Sequence, residues 1–326
     1  MPRQPLCSSF LAWLRLAVVA FGALSTWGSF VAYAADAPPM VARQVAPDAW
    51  YVQGLPELGS SANQNFISNA GFVVTPQGVV VIDALGSPVL AQRLLEQIRR
   101  ITPQPVTHVI VTHYHADHIY GLQTFKAMGA RIIAHRAARD YLQSETARLR
   151  LESSRQAIAP WVNKQTRLIE ADEWLDSEQT LTVGGVRFQI KPMGPSHTPE
   201  DLVVYLPEKK LLFAGDLVFR NRVPFVGQAD SGRWIKALDA LLAFDTTAMV
   251  PGHGPFSTQA RADLQFTRDY LLHLRVTMGQ AAKNMEPFED AYKAADWSRF
   301  KQVPMFTESN RMNAYNTYLL MEREPP

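Results

Sequence analysis

The apolar positions of the chain fall mostly into short runs rather than one long periodic stretch. Many of these runs are rich in valine and isoleucine and are bounded by glycine, proline or other turn residues, which is typical of buried β-strands. They come in two batches, and the segments predicted to be extended are 41–53, 65–83, 106–111 and 131–134, followed by 180–192, 202–206, 210–214 and 248–250.

Between and after these two batches of strands, the apolar residues have the spacing that places them on one face of a helix. Residues 88–101 and 234–244 each place leucines and other apolar residues on one face of a predicted helix. Residues 136–158 are helical and charged, and they predict a peripheral insert. Two batches of strands with helices after each predict an α/β protein in which two sheets pack face to face, a four-layer αββα sandwich.

The N-terminal residues differ in character from the rest of the chain. Residues 1–34 contain Arg3 and Arg15, no acidic residue, an apolar run over 16–24, and a cleavage-type sequence at Ala32-Tyr33-Ala34. This order predicts a secretory signal peptide that is removed, with a retained membrane anchor as the alternative. We therefore expect a periplasmic or secreted protein that has no membrane contact after cleavage.

Three segments follow from these patterns. Residues 1–34 are the predicted signal peptide, and residues 35–258 are the predicted catalytic domain. After residue 258 the pattern is only helical, so residues 259–326 predict a helical C-terminal extension packed on that domain.

Charge and cysteine content narrow the possible partners and ligands. The formal net charge is +2, and removal of Arg3 and Arg15 with the signal leaves 30 basic and 30 acidic residues. This balance gives no electrostatic reason to expect nucleic acid as a partner, so we expect a small-molecule substrate. The single cysteine, Cys7, lies in the predicted signal, so no cysteine can bind a metal in the mature protein. The sequence leaves the oligomeric state open.

A dense group of nitrogen and oxygen donors follows the predicted strand 106–111. It has four members within six residues, and three further donors come later in loops marked by glycine or proline; together they are His113, His115, Asp117, His118, His197, Asp216 and His253. Imidazole and carboxylate are the ligands that zinc takes when cysteine is absent. Seven such donors are too many for one tetrahedral ion and suit two. Asp83, at the end of another predicted strand, is a candidate to orient one of the imidazoles.

The sequence His113-Tyr114-His115-Ala116-Asp117-His118 resembles the His-x-His-x-Asp-His signature of the metallo-β-lactamase superfamily. The resemblance runs from about Asn69 to Gly254 and includes the later loops at Gly194–Thr198, Phe213–Asp216 and Pro251–Gly254. It implies the metallo-β-lactamase fold with a first zinc site, a second zinc site and a bridging carboxylate, formed respectively by His113, His115 and His197, by Asp117, His118 and His253, and by Asp216.

The resemblance also implies a reaction type. Two zinc ions about 3.5–4 Å apart lower the pKa of a shared water, and the resulting hydroxide attacks an ester, thioester or lactam carbonyl. Asp117 is the residue expected to orient that water or receive its proton. No serine or cysteine nucleophile is needed.

Within the superfamily, the sequence resembles exported quinoprotein relay and sulfur-oxidation-associated zinc metallohydrolases. The residues that carry this resemblance are Asn69–Val74, Pro224–Val226, Asp230, Trp234, Asn313 and Tyr318. The sequence is also locally similar to class B1 β-lactamases, with two departures. Asp216 occupies the position at which those enzymes have a metal-binding cysteine. Phe219 occupies the position at which many have a lysine that binds the carboxylate of the β-lactam antibiotic. Arg220 is a candidate replacement for that lysine, and Phe225 and Trp161 are further candidates for substrate binding.

Three alternatives stay open on the sequence. One is a β-lactamase that breaks down antibiotics. Another is a mononuclear iron persulfide dioxygenase, whose single Fe²⁺ would be held by His113, His197 and Asp216. The third is a zinc-binding protein without catalytic activity. A two-zinc hydrolase is the principal prediction. A single iron would leave the second-site donors without a use, and a protein that has lost catalysis tends to lose its metal ligands first.

Overall fold

A computed structural model describes residues 37–323, whose strands form two sheets. The first sheet has seven strands paired in chain order, and its members are β1 (Arg43–Ala46), β2 (Ala49–Val52), β3 (Ala70–Thr75), β4 (Gly78–Ile82), β5 (Val106–Ile110), β6 (Arg131–His135) and β7 (Glu173–Leu175). The second sheet has five strands in the order β12-β11-β10-β9-β8, and these are β8 (Gln179–Val183), β9 (Val186–Pro192), β10 (Leu202–Leu206), β11 (Leu211–Phe219) and β12 (Ala248–His253).

The helices of the described residues follow the strands of each sheet. They are α1 (Pro88–Ile101), α2 (Ala116–Ile119), α3 (Leu122–Lys126), α4 (Ala138–Leu142), α5 (Glu145–Ala157), α6 (Ser231–Leu241), α7 (Ala260–Lys283), α8 (Phe288–Ala294) and α9 (Phe306–Arg323). The last three make up the helical C-terminal region, and they pack on the second half of the fold through one continuous apolar cluster.

Alternating side chains along the strands divide the core into layers. On β4, Val79 and Val81 pack with the buried face of α1, whereas Val80 and Ile82 point the other way, toward the second sheet. Successive side chains of a strand point to opposite faces, so one strand can serve both layers. Val204 of β10 lies in the same central layer as Val80. The predicted αββα sandwich is therefore confirmed.

The outer face of the second sheet is covered in the same manner. Val203 of β10 and Leu212 of β11 pack in one buried cluster with Trp234 of α6 and Leu271 of α7. Trp234 is fully buried, and its indole nitrogen donates to the Leu217 carbonyl at 3.1 Å. The buried polar tip of this tryptophan is thus satisfied, which fixes α6 over the strand that carries Asp216.

The structure differs from the sequence expectation at three strands, one of which is β12, which continues to His253 instead of ending at residue 250. β7 was not predicted, because three residues are too few to show an alternating pattern. β11 continues to Phe219 instead of ending at residue 214. Its pairing register with β12 shifts around Gly215, whose φ of +53° lets the chain bulge and carry on.

Two sequence-based expectations concern regions at the N-terminal end of the chain. The predicted signal peptide, 1–34, lies outside the described residues. Within residues 37–323, no helix combines the length and the apolar character that crossing a bilayer requires. Residues 65–69, predicted to be extended, instead form a loop that leads into β3.

Asn69 joins this loop to the end of the second sheet. Its side chain accepts a hydrogen bond from the Gly54 amide at 3.1 Å, and it donates to the carbonyls of Pro251 and Gly254 at 2.8 Å each. Its own amide donates to the Gly252 carbonyl at 2.8 Å. Asn69 is buried, so the Gly54 amide and the carbonyls of Pro251 and Gly254 would each lose this partner if the side chain were removed.

We predict that Asn69→Ala lowers the free energy of unfolding by about 2–4 kcal/mol, because two buried carbonyls and an amide lose their partners. Urea denaturation followed by circular dichroism measures the change. The matched control is Asn284→Ala, which removes an exposed asparagine and should cost less than about 0.5 kcal/mol. Equal stability of the two variants would contradict the role of Asn69 as a tie between the sheets.

Candidate metal centre

The seven donors predicted from the sequence meet at one edge of the sandwich. The first four follow β5 closely: His113 and His115 lie on the bend before α2, and Asp117 and His118 lie in the single turn of α2. His197 lies in the loop after β9, and Asp216 lies on β11 just past the bulge at Gly215. His253 is the last residue of β12. Both sheets therefore contribute to the site. Strands carry Asp216 and His253, and the other donors lie in loops and on α2 next to strand ends.

The donors separate into two groups within which one ligand atom per residue lies within 4.8 Å of the others. The first group is His113, His115, His197 and Asp216, and the second is Asp117, His118 and His253. The histidines and Asp117 are divided as in the two ligand sets that the resemblance implies, and Asp216 falls in the first group.

Imidazole nitrogens converge in the first group. His115 Nδ1 lies 3.1 Å from His113 Nε2 and 3.0 Å from His197 Nε2. Asp216 Oδ2 lies 3.6 Å from His113 Nε2 and 3.4 Å from His197 Nε2. Three imidazoles and one carboxylate thus face a common point.

The second group has the same character. Asp117 Oδ2 lies 3.5 Å from His118 Nε2 and 3.3 Å from His253 Nε2. Asp216 also reaches this group, since its Oδ1 is 3.2 Å from His118 Nε2 and its Oδ2 is 3.3 Å from His253 Nε2. The carboxylate of Asp216 therefore stands between the two groups and contacts both.

The donor set fits metal ions. Zinc bonds of about 2.0–2.2 Å at tetrahedral angles hold the donor atoms about 3.3–3.6 Å apart, close to the separations within both groups. His118 Nε2 and Asp216 Oδ1 are buried and have no hydrogen-bond partner, although they face each other. A buried nitrogen and a buried carboxylate oxygen in this relation are satisfied by a shared cation. The residues present are thus suited to two ions with Asp216 between them.

The outer nitrogens of several imidazoles are held in place. His118 Nδ1 lies 2.9 Å from Asp83 Oδ2, and His253 Nδ1 lies 2.7 Å from the Ile67 carbonyl. Asp83 is itself fixed, because it accepts hydrogen bonds from both the amide and the hydroxyl of Thr112 at 2.8 Å. These contacts place the proton on Nδ1 and leave Nε2 free to bind a metal. Asp83 lies where the sequence predicted a supporting residue.

Histidines of the two groups differ in the direction of their pKa shifts. Burial is the main cause that lowers the pKa of His113 well below its ordinary value and that of His115 to about 3; neighbouring imidazoles act in the same direction, and the Asp216 carboxylate opposes it. Burial also acts to lower the pKa of His118, but nearby carboxylates, with Asp216 foremost, raise it well above its ordinary value. An imidazole must be neutral to bind a metal, so an ion that binds His118 has to displace a proton, whereas His113 and His115 hold none.

Aromatic rings cover the inner side of the site, which faces the protein core. Phe219 stacks on His253 with centroids 4.9 Å apart and planes 5° from parallel. Trp234 packs edge-on against His197 at 5.1 Å. Phe219 and Trp234 are buried, so these rings keep water away from the inner side of both histidines.

A cavity of about 710 Å³ opens onto the first group through His115 and His197. Phe225, predicted as a substrate-binding candidate, lines it, with its ring 6.5 Å from that of His197. Arg220 and Trp161 do not line it. The Arg220 guanidinium is bound to Asp263 at 3.0 Å and to the Phe256 carbonyl at 3.0 Å. The Trp161 indole donates to the Ser61 carbonyl at 2.7 Å.

Sequence reasoning missed three residues near the site. Arg222 is buried, its guanidinium lies 5.6 Å from the centre of the Phe219 ring, and its Nη1 is 3.4 Å from His253 Nδ1. Arg150 of α5 and Asn316 of α9 line the cavity. Nothing in the sequence distinguishes Arg222 from Arg220, and the other two lie on helices whose docking the local pattern does not fix.

Comparison with known proteins agrees with this site. The model of the metallo-β-lactamase superfamily matches residues 64–253. A linear primary-alkylsulfatase from a Pseudomonas species is 26% identical over 238 residues, which cover 62% of this chain and 45% of that enzyme. A type 2 metallo-β-lactamase from Bacillus cereus is 29% identical over 203 residues, which cover 61% of this chain and 71% of that enzyme. The match thus spans less than half the length of the alkylsulfatase.

Solved structures share the fold. A metallo-β-lactamase from Pontibacter korlensis superposes with a TM-score of 0.57 at 24% identity, covering 72% of this chain and 99% of that one. An inverting sec-alkylsulfatase from a Pseudomonas species gives a TM-score of 0.64 at 19% identity, covering 86% of this chain and 50% of that one. The chain belongs to the metallo-β-lactamase superfamily. Its homologues in that superfamily include an alkylsulfatase and class B β-lactamases.

We predict that Asp83→Asn weakens metal binding by the second donor group about 10- to 100-fold. The amide either turns an N–H toward His118 Nδ1 or gives up a hydrogen bond from Thr112, so the imidazole loses its fixed orientation. Zinc titration with a competing chelator measures both affinities. The first group should change little, and an unchanged affinity of the second group would contradict the orienting role of Asp83.

Proposed function

We propose that this protein is an exported hydrolase with two zinc ions that cleaves a carbonyl-type bond, an ester, thioester or lactam, in a small molecule. The observation that carries the proposal is the position of the Asp216 carboxylate. It lies within 3.6 Å of imidazole nitrogens from both donor groups. Such a carboxylate suits a bridge between two ions.

Seven side chains would hold the metals, in the two groups described above with Asp216 shared. Zinc bound there would supply Lewis acidity and a hydroxide nucleophile near neutral pH. The protein residues supply orientation and a dry environment. Asp83 and the Ile67 carbonyl fix the rings of His118 and His253, while Phe219 and Trp234 exclude water from behind them.

Asp117 is the residue we propose to handle a proton. Its side chain is 15% exposed, compared with 4% for that of Asp216, so it is the more open of the two carboxylates in the centre. One of its oxygens, Oδ2, faces His118 and His253. A carboxylate held in this way can orient a water molecule and accept its proton, provided that the water lies within hydrogen-bond reach.

Within the proposed class of substrates, esters and thioesters are favoured over lactams. Phe219 is buried against His253 and offers no charge, and Arg220 is held by Asp263. Neither residue supplies the cation that binds the drug's carboxylate in many class B1 β-lactamases. The overall similarity to β-lactamases therefore supports the β-lactamase alternative, but the residues of the site support it less.

A sulfate ester is a second candidate substrate. It is favoured by the similarity to the linear primary-alkylsulfatase. The two other sequence-based alternatives are less well supported. A single iron would leave Asp117, His118 and His253 without a use, and a non-catalytic zinc protein would not need a cavity that opens onto the donors.

Export by residues 1–34 is part of the proposal and rests on their sequence pattern alone. N-terminal sequencing of the protein recovered from outside the producing cell tests it. A mature chain that starts at Ala35 is the expected result. A chain that still starts at Met1 would contradict cleavage.

We predict that the zinc-loaded protein carries two ions and hydrolyses at least one member of a panel of aryl esters, S-lactoylglutathione, nitrocefin, an alkyl sulfate and a phosphodiester. Asp216→Ala should lower zinc occupancy and reduce the rate about 100-fold or more, because both donor groups lose a shared ligand. Native mass spectrometry counts the ions, and initial rates give the activity.

The matched control is Asp239→Ala, which removes an exposed carboxylate that pairs with Arg268 on the far helices and should leave zinc content and rate unchanged. Two ions retained in Asp216→Ala would overturn the bridging role. Activity only with iron, accompanied by oxygen uptake on a persulfide, would favour the dioxygenase instead.

A further inference from the structure

The cavity beside the first donor group is built by parts of the chain distant from the metal ligands. Tyr141 and Arg150 come from α4 and α5, Phe225 comes from the loop after β11, and Asn316 comes from α9. A substrate whose reacting bond lies at His115 and His197 would extend into this space. The cavity residues therefore determine which chemical groups the substrate can carry beyond its reacting bond.

Arg150 is a cation without a neutralising partner. Two other arginines of α5, Arg148 and Arg155, each pair with a glutamate three residues earlier, at 3.1 and 3.0 Å. Among the described residues, no carboxylate lies within ion-pair distance of Arg150, whose guanidinium instead lies 5.8 Å from the centre of the Tyr141 ring. An aromatic ring beneath a guanidinium holds its position without cancelling its charge.

The carboxylates that border the cavity leave Arg150 available. Glu200 is buried, and it is occupied by the Tyr114 amide, which donates to it at 3.2 Å. Asp140 is exposed at the rim and forms no ion pair with Arg150. The metal ions that the proposed function requires would add further positive charge at the inner end. The cavity is thus suited to a negatively charged ligand.

The opposite wall is apolar and rigidly held. The Phe225 side chain is 37% exposed, although the backbone on both sides of it is held in place. Asn313 of α9 accepts from the Val226 amide at 2.9 Å and donates to the Pro224 carbonyl at 2.7 Å, so it clamps the loop on both sides of Phe225. Asn313 is buried and also donates to the Tyr270 hydroxyl at 2.9 Å. The helical C-terminal region thereby preorganises this wall.

We propose that Arg150 forms an anion-binding subsite, so that the substrate is an organic anion with an apolar body against Phe225 and a negatively charged group, remote from the reacting bond, on the guanidinium. This inference rests on the proposed function, which places the reacting bond beside His115 and His197. It narrows the substrate class from small carbonyl compounds in general to those that carry a remote carboxylate, sulfonate or similar group.

The test uses two esters of equal length, mono-4-nitrophenyl glutarate and 4-nitrophenyl valerate, with the zinc-loaded protein. We expect Arg150→Gln to lower the ratio of kcat/KM for the anionic ester to that for the neutral ester about 10- to 100-fold, mainly through KM. Arg150→Lys should restore part of the ratio. The matched control, Arg148→Gln, removes an exposed and ion-paired arginine of the same helix and should leave the ratio as in the unaltered protein.

A binding measurement separates failure of the subsite from failure of the proposed function. Hexanesulfonate is a weak metal ligand, and calorimetry should show that it binds the zinc-loaded protein about tenfold or more tightly than it binds Arg150→Gln, with hexanol showing no such difference. If esters are hydrolysed but neither the ratio nor sulfonate binding depends on Arg150, the subsite is wrong and the hydrolase stands. If sulfonate binding depends on Arg150 while no ester is cleaved, the subsite stands and the carbonyl hydrolase is wrong.

Discussion

The structure depends on the placement of one buried carboxylate, that of Asp216, among imidazoles that come from both halves of the sandwich. Burying a carboxylate is costly unless cations or hydrogen-bond donors surround it. Its neighbours here are nitrogens of His113, His118, His197 and His253, at distances of 3.2–3.6 Å. The two sheets must therefore pack in one relative position for the centre to form.

Several parts of the fold serve that requirement. Asn69 links the loop before β3 to the end of β12, and the bulge at Gly215 turns β11 so that Asp216 reaches the edge. Position 252 must be glycine, because a Cβ there would lie 2.0 Å from Asp216 Oδ1. The helical C-terminal region adds a wall to the cavity through Asn313. Stability and site geometry are thus determined by the same contacts.

The metal donors could be read from the sequence because strong local signals mark them. Four donors in six residues after an apolar strand are rare, and the αββα arrangement follows from the order of strands and helices. Arg150, Arg222 and Asn316 could not be found in this way, because their roles depend on how distant helices and loops dock. The choice of Arg220 as the substrate cation failed for the same reason, since its partner Asp263 lies on α7.

The most direct test is a crystal structure of the zinc-loaded protein with anomalous diffraction measured at the zinc edge. Two peaks are predicted, one among His113, His115 and His197 and the other among Asp117, His118 and His253. Each should lie about 2.0–2.2 Å from its donor atoms, with Asp216 bound to both. A single peak, or two peaks that Asp216 does not bridge, would contradict the account.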